Sequence, residues 1–582
     1  MDLKPIDAIP TDDERAAVDH VLAARPPTRD LLLPVLRAIQ ARVGWISKGA
    51  LAHACARLHV PPAEAWGVAT FYHLLATEPS PRRVLHVCDD VACRARGSAQ
   101  IAESLAKGAS RDDAAWKRSP CLGQCERAPA ALLVQAGAPP IERAIGPIDA
   151  AIAREAIDGA PPTTPASSGV HQPRESLRLL ARVGVVDPES LDDYRAHGGF
   201  SALRRAHELG AAWVIREVTD AKLLGRGGAG FPAGRKWAAV AQQPTSTRYV
   251  VCNADESEPG TFKDRVLLEE DPFAIVEAIA IAAFAVSAAR AFVYVRGEYP
   301  LAAARVEHAI AAARRRGLLG DLPIEVRRGA GAYVCGEETA LLESLEGRRG
   351  EPRSKPPFPV ERGLFAAPTV INNVETLAAA LLVVRDGAEA FTAIGTAESA
   401  GPRLFCLSGD VAHPGVYEAP MGLPLRALIE LAGGATQGIA GVLLGGAAGT
   451  FVGPDELDLR LTFEDTRRAG TTLGSGVVVV FRDGTDFGAV LHGLAGFFRH
   501  ESCGQCVPCR VGTAKLDELL ARVRAGAPDG SWDDERARLR DLGHVLREAS
   551  ICGLGQSAAS AVESAARRFA IWPDVGKREE DR

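Results

Sequence analysis

Eight of the twelve cysteines fall into two sets whose spacing could hold a metal cluster. In the first, Cys88 and Cys93 form a C-x4-C pair and Cys121 and Cys125 a C-x3-C pair, each on a loop after an ordered stretch. Two such loops can bring four thiolates to one point, which suits a cluster. A dithiol redox site would need C-x-x-C, which this segment lacks. Structural zinc favours shorter pair spacings than that of Cys88 and Cys93, so a [2Fe–2S] cluster fits best. It would not be plant-type, because no third cysteine follows Cys93 by three positions. In the second set, Cys503, Cys506 and Cys509 can occupy three corners of a cubane and Cys552 the fourth, after a helical excursion. A [4Fe–4S] cluster is favoured there, with zinc as the rival that two C-x2-C pairs would suit better. Cys55, Cys252, Cys335 and Cys406 are scattered in apolar surroundings and read as core thiols.

Between these sets lies a stretch suited to a nucleotide-like cofactor. Gly225, Gly227, Gly228, Gly230 and Gly234 leave backbone N–H groups bare, and Arg226, Arg235 and Lys236 set cations beside them, so a phosphate is the natural guest. Asn253, Asp255, Glu256, Ser257 and Glu258 follow as acceptors for sugar hydroxyls and amide edges. The glycine spacing imitates a Rossmann fingerprint, but that motif requires a preceding strand, and Val218 to Leu224 reads as the end of a helix. A second glycine-rich turn, Gly329 to Thr339, carries Tyr333, Gly336, Glu337 and Glu338. Lys355 and the pair Asn372 and Asn373 interrupt apolar stretches, and buried amides there must act as a loop clamp or as a ligand contact.

These residues need elements to position them, and the patterning predicts an α/β multidomain chain. Residues 1–80 read as a small helical bundle opened by a capping box of Thr11 and Glu14, with Gly44 and Pro61-Pro62 as stops. His53, His59 and His73 read there as core or surface residues. Residues 81–158 combine a strand through Val84 to Val87, a helix from Ser98 to Ala106 and a strand ending at Val134. Residues 159–173 are a linker by composition. In residues 174–400, helix Phe273 to Ser287, strand Ala291 to Arg296, helix Leu301 to Arg315 and strand Ile324 to Arg328 alternate as in a layered α/β domain. Residues 401–485 read as short strands around a helix from Leu425 to Leu431, β-grasp-like, with Gly445, Gly446 and Gly449 structural. Residues 486–582 are helical and hold the second cysteine set.

The totals exclude several classes. A net charge of −6 over 582 residues, with both signs mixed throughout, argues against nucleic-acid binding as the main task. No signal-peptide pattern opens the chain, and the longest helical apolar run, Ala278 to Ala289, covers only 12 residues, too few to span a bilayer. A soluble, cytoplasmic protein is expected, with no direct membrane insertion.

Gly225 to Trp237, Asn253 to Arg265, Gly329 to Glu338 and Cys503 to Cys509 together resemble the NADH-binding flavoprotein subunit of respiratory complex I and its relatives. The N-terminal part is similar to that complex's small [2Fe–2S] subunit, which implies a thioredoxin-like domain after the helical bundle. The resemblance spans nearly the whole chain, and its four long motifs stand in the family's order. It implies FMN on Gly225, Arg226, Gly227 and Lys236, with Asn253, Asp255, Glu256 and Ser257 along its ribityl and ring edges. Tyr333, Gly336, Glu337, Asn372 and Asn373 would complete that pocket, and NADH would be bounded by Phe231, Glu258, Glu338 and Lys355. Ala238 and Ala239 stand where many relatives carry a second aromatic for the adenine.

What the resemblance implies chemically is hydride transfer directly between NAD(H) and flavin, with no side-chain acid or base, the protein aligning two rings. Single electrons would pass through the cluster on Cys503, Cys506, Cys509 and Cys552, while that on Cys88, Cys93, Cys121 and Cys125 stores one. The carboxylates of Glu256, Glu258, Glu337 and Glu338 would disfavour NADP. Fused chains of this kind occur in the β subunits of NAD-dependent molybdenum or tungsten formate dehydrogenases, the preferred reading, and in diaphorase subunits of NAD-reducing hydrogenases. The partner would be a catalytic Fe–S subunit: formate dehydrogenase α, or a hydrogenase or complex I subunit. A zinc-bound assembly module without redox function is the alternative of another class.

Overall fold

The computed structural model describes residues 8–23, 25–108, 113–159 and 170–572. The linker expected over 159–173 therefore falls mostly outside the described residues. The first helix, Asp12–Leu22, opens on the expected box: Thr11 Oγ1 accepts from Glu14 N at 3.3 Å and Glu14 Oε2 from Thr11 N at 2.7 Å. Helices Leu32–Val43, Lys48–Leu58 and Pro62–Ala69 follow, the first ended by Gly44 in the left-handed region (φ 100°) and the last started by its proline.

A four-stranded sheet comes next: β1 (Arg83–Cys88), β2 (Ala114–Ser119), β3 (Ala131–Gln135) and β4 (Ile141–Ile145), in the order β2-β1-β3-β4. Two of these strands, β2 and β4, are absent from the sequence-based expectation. Strand β2 reads Ala-Ala-Trp-Lys-Arg-Ser and β4 exposes alternate residues, so neither shows an apolar run. Strands β1 and β2 are parallel, with Cys88 opposite Ser119, so both C-terminal ends lie at one edge.

The central unit is a parallel sheet of β5 (Tyr249–Ala254), β6 (Arg290–Val295), β7 (Ile324–Arg328) and β8 (Thr369–Asn373), ordered β7-β6-β5-β8. Because side chains alternate along a strand, its two faces enter different cores. Val250, Cys252, Val293 and Val295 pack with helices Pro272–Val286 and Val374–Asp386. Val251, Phe292 and Tyr294 share a core with Val35, Leu36 and Tyr72 of the N-terminal helical segment and with Leu341 and Leu342. The N-terminal helices thus cover a face of the central sheet, and Tyr72 OH and Tyr294 OH meet at Ser344 Oγ, at 2.7 and 2.8 Å.

A mixed five-stranded sheet follows: β9 (Pro402–Gly409), β10 (Gly415–Pro420), β11 (Ile439–Leu444), β12 (Thr450–Val452) and β13 (Val477–Arg482), ordered β10-β9-β13-β11-β12 around helix Leu425–Leu431. Its first and last strands, β9 and β13, run parallel side by side. The chain closes with helices Phe487–Glu501, Val507–Ala525, Trp532–Ala549, Gly553–Ser557 and Ser560–Arg568. Among the described residues, no helix is long and apolar enough to cross a membrane.

Candidate functional site

The chain leaves β5 through β6 to β7 on one side and returns to β8 on the other. Such a reversal opens a crevice at the carboxyl ends of the two strands where the order switches, the usual ligand site of an open α/β sheet. Here Asn253 stands opposite Asn373 and Cys252 opposite Asn372, so the three asparagines singled out in sequence lie at the ends of the two strands that border the crevice. The glycine loop reaches it after helix Ala211–Asp220, with no strand before it, and closes through Gly225 N to the Phe231 carbonyl at 2.9 Å. Gly228 (φ 115°) and Gly230 (φ 65°) supply the turn. A Cβ on Gly227 would stand 3.1 Å from Asn373 Cβ, so backbone and asparagine are in contact without one.

Across the crevice, Asn253 Nδ2 donates to the Gly336 carbonyl at 2.9 Å, and a Cβ on Gly336 would come 3.3 Å from the Asp255 carbonyl. Ser257 Oγ donates to Asp255 Oδ2 at 3.2 Å, and burial pushes the Asp255 carboxyl well above the ordinary range. Lys236 Nζ pairs with Glu338 and donates to the Ile371 carbonyl at 3.0 Å. Lys355 Nζ pairs with Glu337 at 2.6 Å. Glu258 Oε2 accepts from Tyr333 OH at 2.5 Å and Oε1 from Ala448 N at 2.8 Å, and burial pushes the Glu258 carboxyl up to about 7.

Several side chains point elsewhere. Glu256 accepts from four donors, Thr261 Oγ1, Asp264 N, Arg265 N and Tyr299 OH, so its carboxylate holds the start of helix Lys263–Glu270. Burial and the neighbouring Asp264 charge push it to about 7. Arg226 is 1% exposed, and its guanidinium donates to the Ala400 and Pro402 carbonyls at 2.9 and 3.2 Å, away from the loop's N–H groups. Glu337 caps helix Glu338–Leu345 through Thr339 N and Ala340 N. Asn372 Oδ1 accepts from Trp237 Nε1 at 2.7 Å, and Asn373 caps helix Val374–Asp386 and donates to Asp264: both are loop clamps through their side chains. Gly446, read as structural, packs against the crevice wall: a Cβ there would lie 2.5 Å from Glu258 Cγ.

With Glu337 and Glu338 ion-paired and Glu256 saturated, fewer free carboxylates oppose NADP than the four counted in sequence. Phe231 remains 50% exposed beside Arg235 and Lys236, and Phe358, three residues past Lys355 in sequence, is a second exposed aromatic at 51%, which sequence patterning did not single out. An aromatic following a Ser-Lys-Pro-Pro turn was the signal that could have found it.

The two cysteine sets assemble as their spacing demands. The parallel ends of β1 and β2 bring Cys88, Cys93, Cys121 and Cys125 together at 2 to 4% exposure, with Cys121 Sγ and Cys125 Sγ 3.5 Å apart and no disulfide. Four convergent free thiols fit a cluster. Cys503 and Cys506 flank a loop after helix Phe487–Glu501, Cys509 lies in the next helix, and Cys552 precedes helix Gly553–Ser557. A Cβ on Gly555 would stand 3.0 Å from Cys509 Cβ, so the helix that follows Cys552 packs directly on the one that carries Cys509. The scattered Cys55, Cys252, Cys335 and Cys406 are buried, as expected of core thiols. His73, read as a core or surface residue, lies 3.5 Å from Glu298 Oε1.

Comparison with known proteins matches this layout piece by piece. Residues 18–139 match a thioredoxin-like [2Fe-2S] ferredoxin family, 218–381 the Nuo51 FMN-binding domain, 404–445 the SLBB domain and 489–571 the NADH-ubiquinone oxidoreductase-F iron-sulfur binding region. An NADH-quinone oxidoreductase subunit of Rhizobium meliloti is 45% identical over 403 residues, 67% of this chain and 95% of its own. An NADP-reducing hydrogenase subunit of Solidesulfovibrio fructosivorans is 41% identical over 68% of this chain and 83% of its own. A chain in the crystal structure of an air-oxidized NAD+-reducing [NiFe]-hydrogenase superposes with a TM-score of 0.81 at 34% identity, covering 93% of each chain. The chain therefore belongs to the family of NADH-binding flavoprotein subunits, as an oxidoreductase component that binds FMN, a [2Fe–2S] and a [4Fe–4S] cluster and carries the thioredoxin-like domain on the same polypeptide.

Proposed function

We propose that this chain exchanges hydride with NAD(H) at the crevice between β5 and β8 and passes single electrons through its cysteine clusters to or from a separate catalytic Fe–S subunit in the cytoplasm. One observation carries the reading: Tyr333 touches both Glu258 of the crevice and Glu501, two residues before Cys503. FMN supplies the conversion between a two-electron hydride and single electrons. For the residues, the glycine loop and Lys236 hold the phosphate, Asn253 and Asp255 line the polar edge, and Phe231, Phe358, Glu258 and Lys355 bound the dinucleotide. The backbone groups of Glu256, Gly336, Asn372 and Asn373, rather than their side chains, complete the pocket. NAD is the expected dinucleotide, and the domains run over 1–80, 81–158, 174–400, 401–485 and 486–582.

For the partner we infer a formate-oxidising subunit, so that the working direction is NAD reduction. The full-length likeness to a hydrogenase chain favours hydrogen as the second reading. Assaying the native complex for NADH formation from formate and from hydrogen decides between them: NADH from formate alone supports the first, and NADH from hydrogen alone removes it. A colourless protein containing stoichiometric zinc and no flavin would remove the redox reading altogether.

A further inference from the structure

Three buried side chains of the FMN-binding unit close on the Cys121–Cys125 loop. Arg296, 3% exposed, donates Nη2 to the Cys121 carbonyl and Nη1 to the Glu256 carbonyl, both at 2.6 Å. Arg265 donates Nε to the Gly123 carbonyl at 2.9 Å. Tyr299 packs so tightly on Gly123 that a Cβ there would lie 2.0 Å from its hydroxyl. One guanidinium, 175 residues from Cys121 in sequence, therefore joins the cluster loop to the acidic segment of the crevice.

We infer that Arg296 is the positioning residue that sets the reduction potential of the [2Fe–2S] cluster, by holding a fixed cation one peptide group from a ligand sulfur. The inference rests on reading Cys88, Cys93, Cys121 and Cys125 as a [2Fe–2S] site. Cluster potentials respond to net charge, hydrogen bonding and solvent exposure. An added electron makes the cluster more negative, and a cation held close in a dry interior stabilises that state, which raises the potential. The two arginines differ in charge balance. Arg265 faces two carboxylates, Glu126 and Glu269. Among the described residues, Arg296 forms its ion pair with Glu298, at 3.0 Å, and Glu298 is shared with His73. Burial works to raise the Glu298 carboxyl, but Arg296 and His73 outweigh it, so Glu298 stays ionised and opposes part of the Arg296 charge. Arg296 cannot swing away, since all its carbonyl and carboxylate partners are buried.

The test is an EPR-monitored redox titration of both clusters in the full-length, cluster-loaded protein. Arg296→Gln is expected to lower the [2Fe–2S] midpoint while leaving the [4Fe–4S] midpoint in place, and Arg296→Lys to recover most of the change. Glu298→Gln removes the opposing charge and is expected to move the [2Fe–2S] midpoint upward. An unmoved midpoint in Arg296→Gln with the signal intact, or equal shifts of both clusters, overturns the inference. If Arg296→Gln loses the cluster, Arg296→Lys and Glu298→Gln decide together: a midpoint kept near that of the unmodified protein in the first with a rise in the second upholds the inference, and any other pair of results overturns it. Absence of a [2Fe–2S] signal from the unmodified protein overturns the cluster reading itself, and the inference with it.

Discussion

Tyr333 donates its hydroxyl to Glu258 at 2.5 Å and its backbone N–H to Glu501 at 2.7 Å, with its ring 5.0 Å from that of Phe497. One residue thus links the acidic wall of the crevice to the helix that presents the second cysteine set. Tyr333 itself opens the short 3-10 turn Tyr333–Gly336, so both contacts are made from one turn of the chain.

The Glu258 carboxyl, pushed up to about 7 by burial, predicts a pH dependence. A raised folded value means the fold favours the protonated form, so this group's contribution to stability is present at low pH and lost as pH rises through about 7. The KM for NADH should change with a single titration near that same pH of about 7. Glu258→Gln should flatten it. Tyr333→Phe removes a bond that favours the ionised form and should move the midpoint to higher pH. The KM profile over about three pH units around neutrality checks all three.

Gly123→Ala should separate the two clusters. Its φ is 63° and its Cβ would overlap the Tyr299 hydroxyl, so the Cys121–Cys125 loop must move. EPR should show loss of the [2Fe–2S] signal with the [4Fe–4S] signal and FMN content retained.

Phe358→Ala tests the exposed aromatic that sequence analysis missed. If it stacks on the adenine, its loss costs about 0.5–1.5 kcal/mol, a rise in KM of roughly two- to tenfold at unchanged kcat. Steady-state kinetics with NADH and an artificial one-electron acceptor provide the measurement.

Gly227→Ala and Lys236→Met should both lower bound FMN. The first places a methyl against Asn373, which is held by bonds to Asp264 and Glu375 and has little room to yield. The second removes the cation that lies between Glu338 and the Ile371 carbonyl. Flavin-to-protein ratio after gel filtration should fall in both while iron content holds.

Sequence alone determined what depends on short spacing. The capping box of Thr11 and Glu14, helix Ser98–Ala106 and helix Leu425–Leu431 are governed by contacts within a few residues, and the close cysteine pairs and triplet are legible from spacing. The glycine loop was legible as a tight turn for the same reason, with Gly228 and Gly230 at positive φ. The meeting of Cys88 and Cys93 with Cys121 and Cys125 depends instead on the parallel pairing of β1 and β2. Tertiary structure decided where long side chains go. Glu256 turns to four donors instead of the crevice, Arg226 reaches two carbonyls more than 170 residues away, and Arg296 finds the Cys121 loop. A buried carboxylate or guanidinium must satisfy its bonds with whatever groups the fold brings near, and no local pattern records which groups those are.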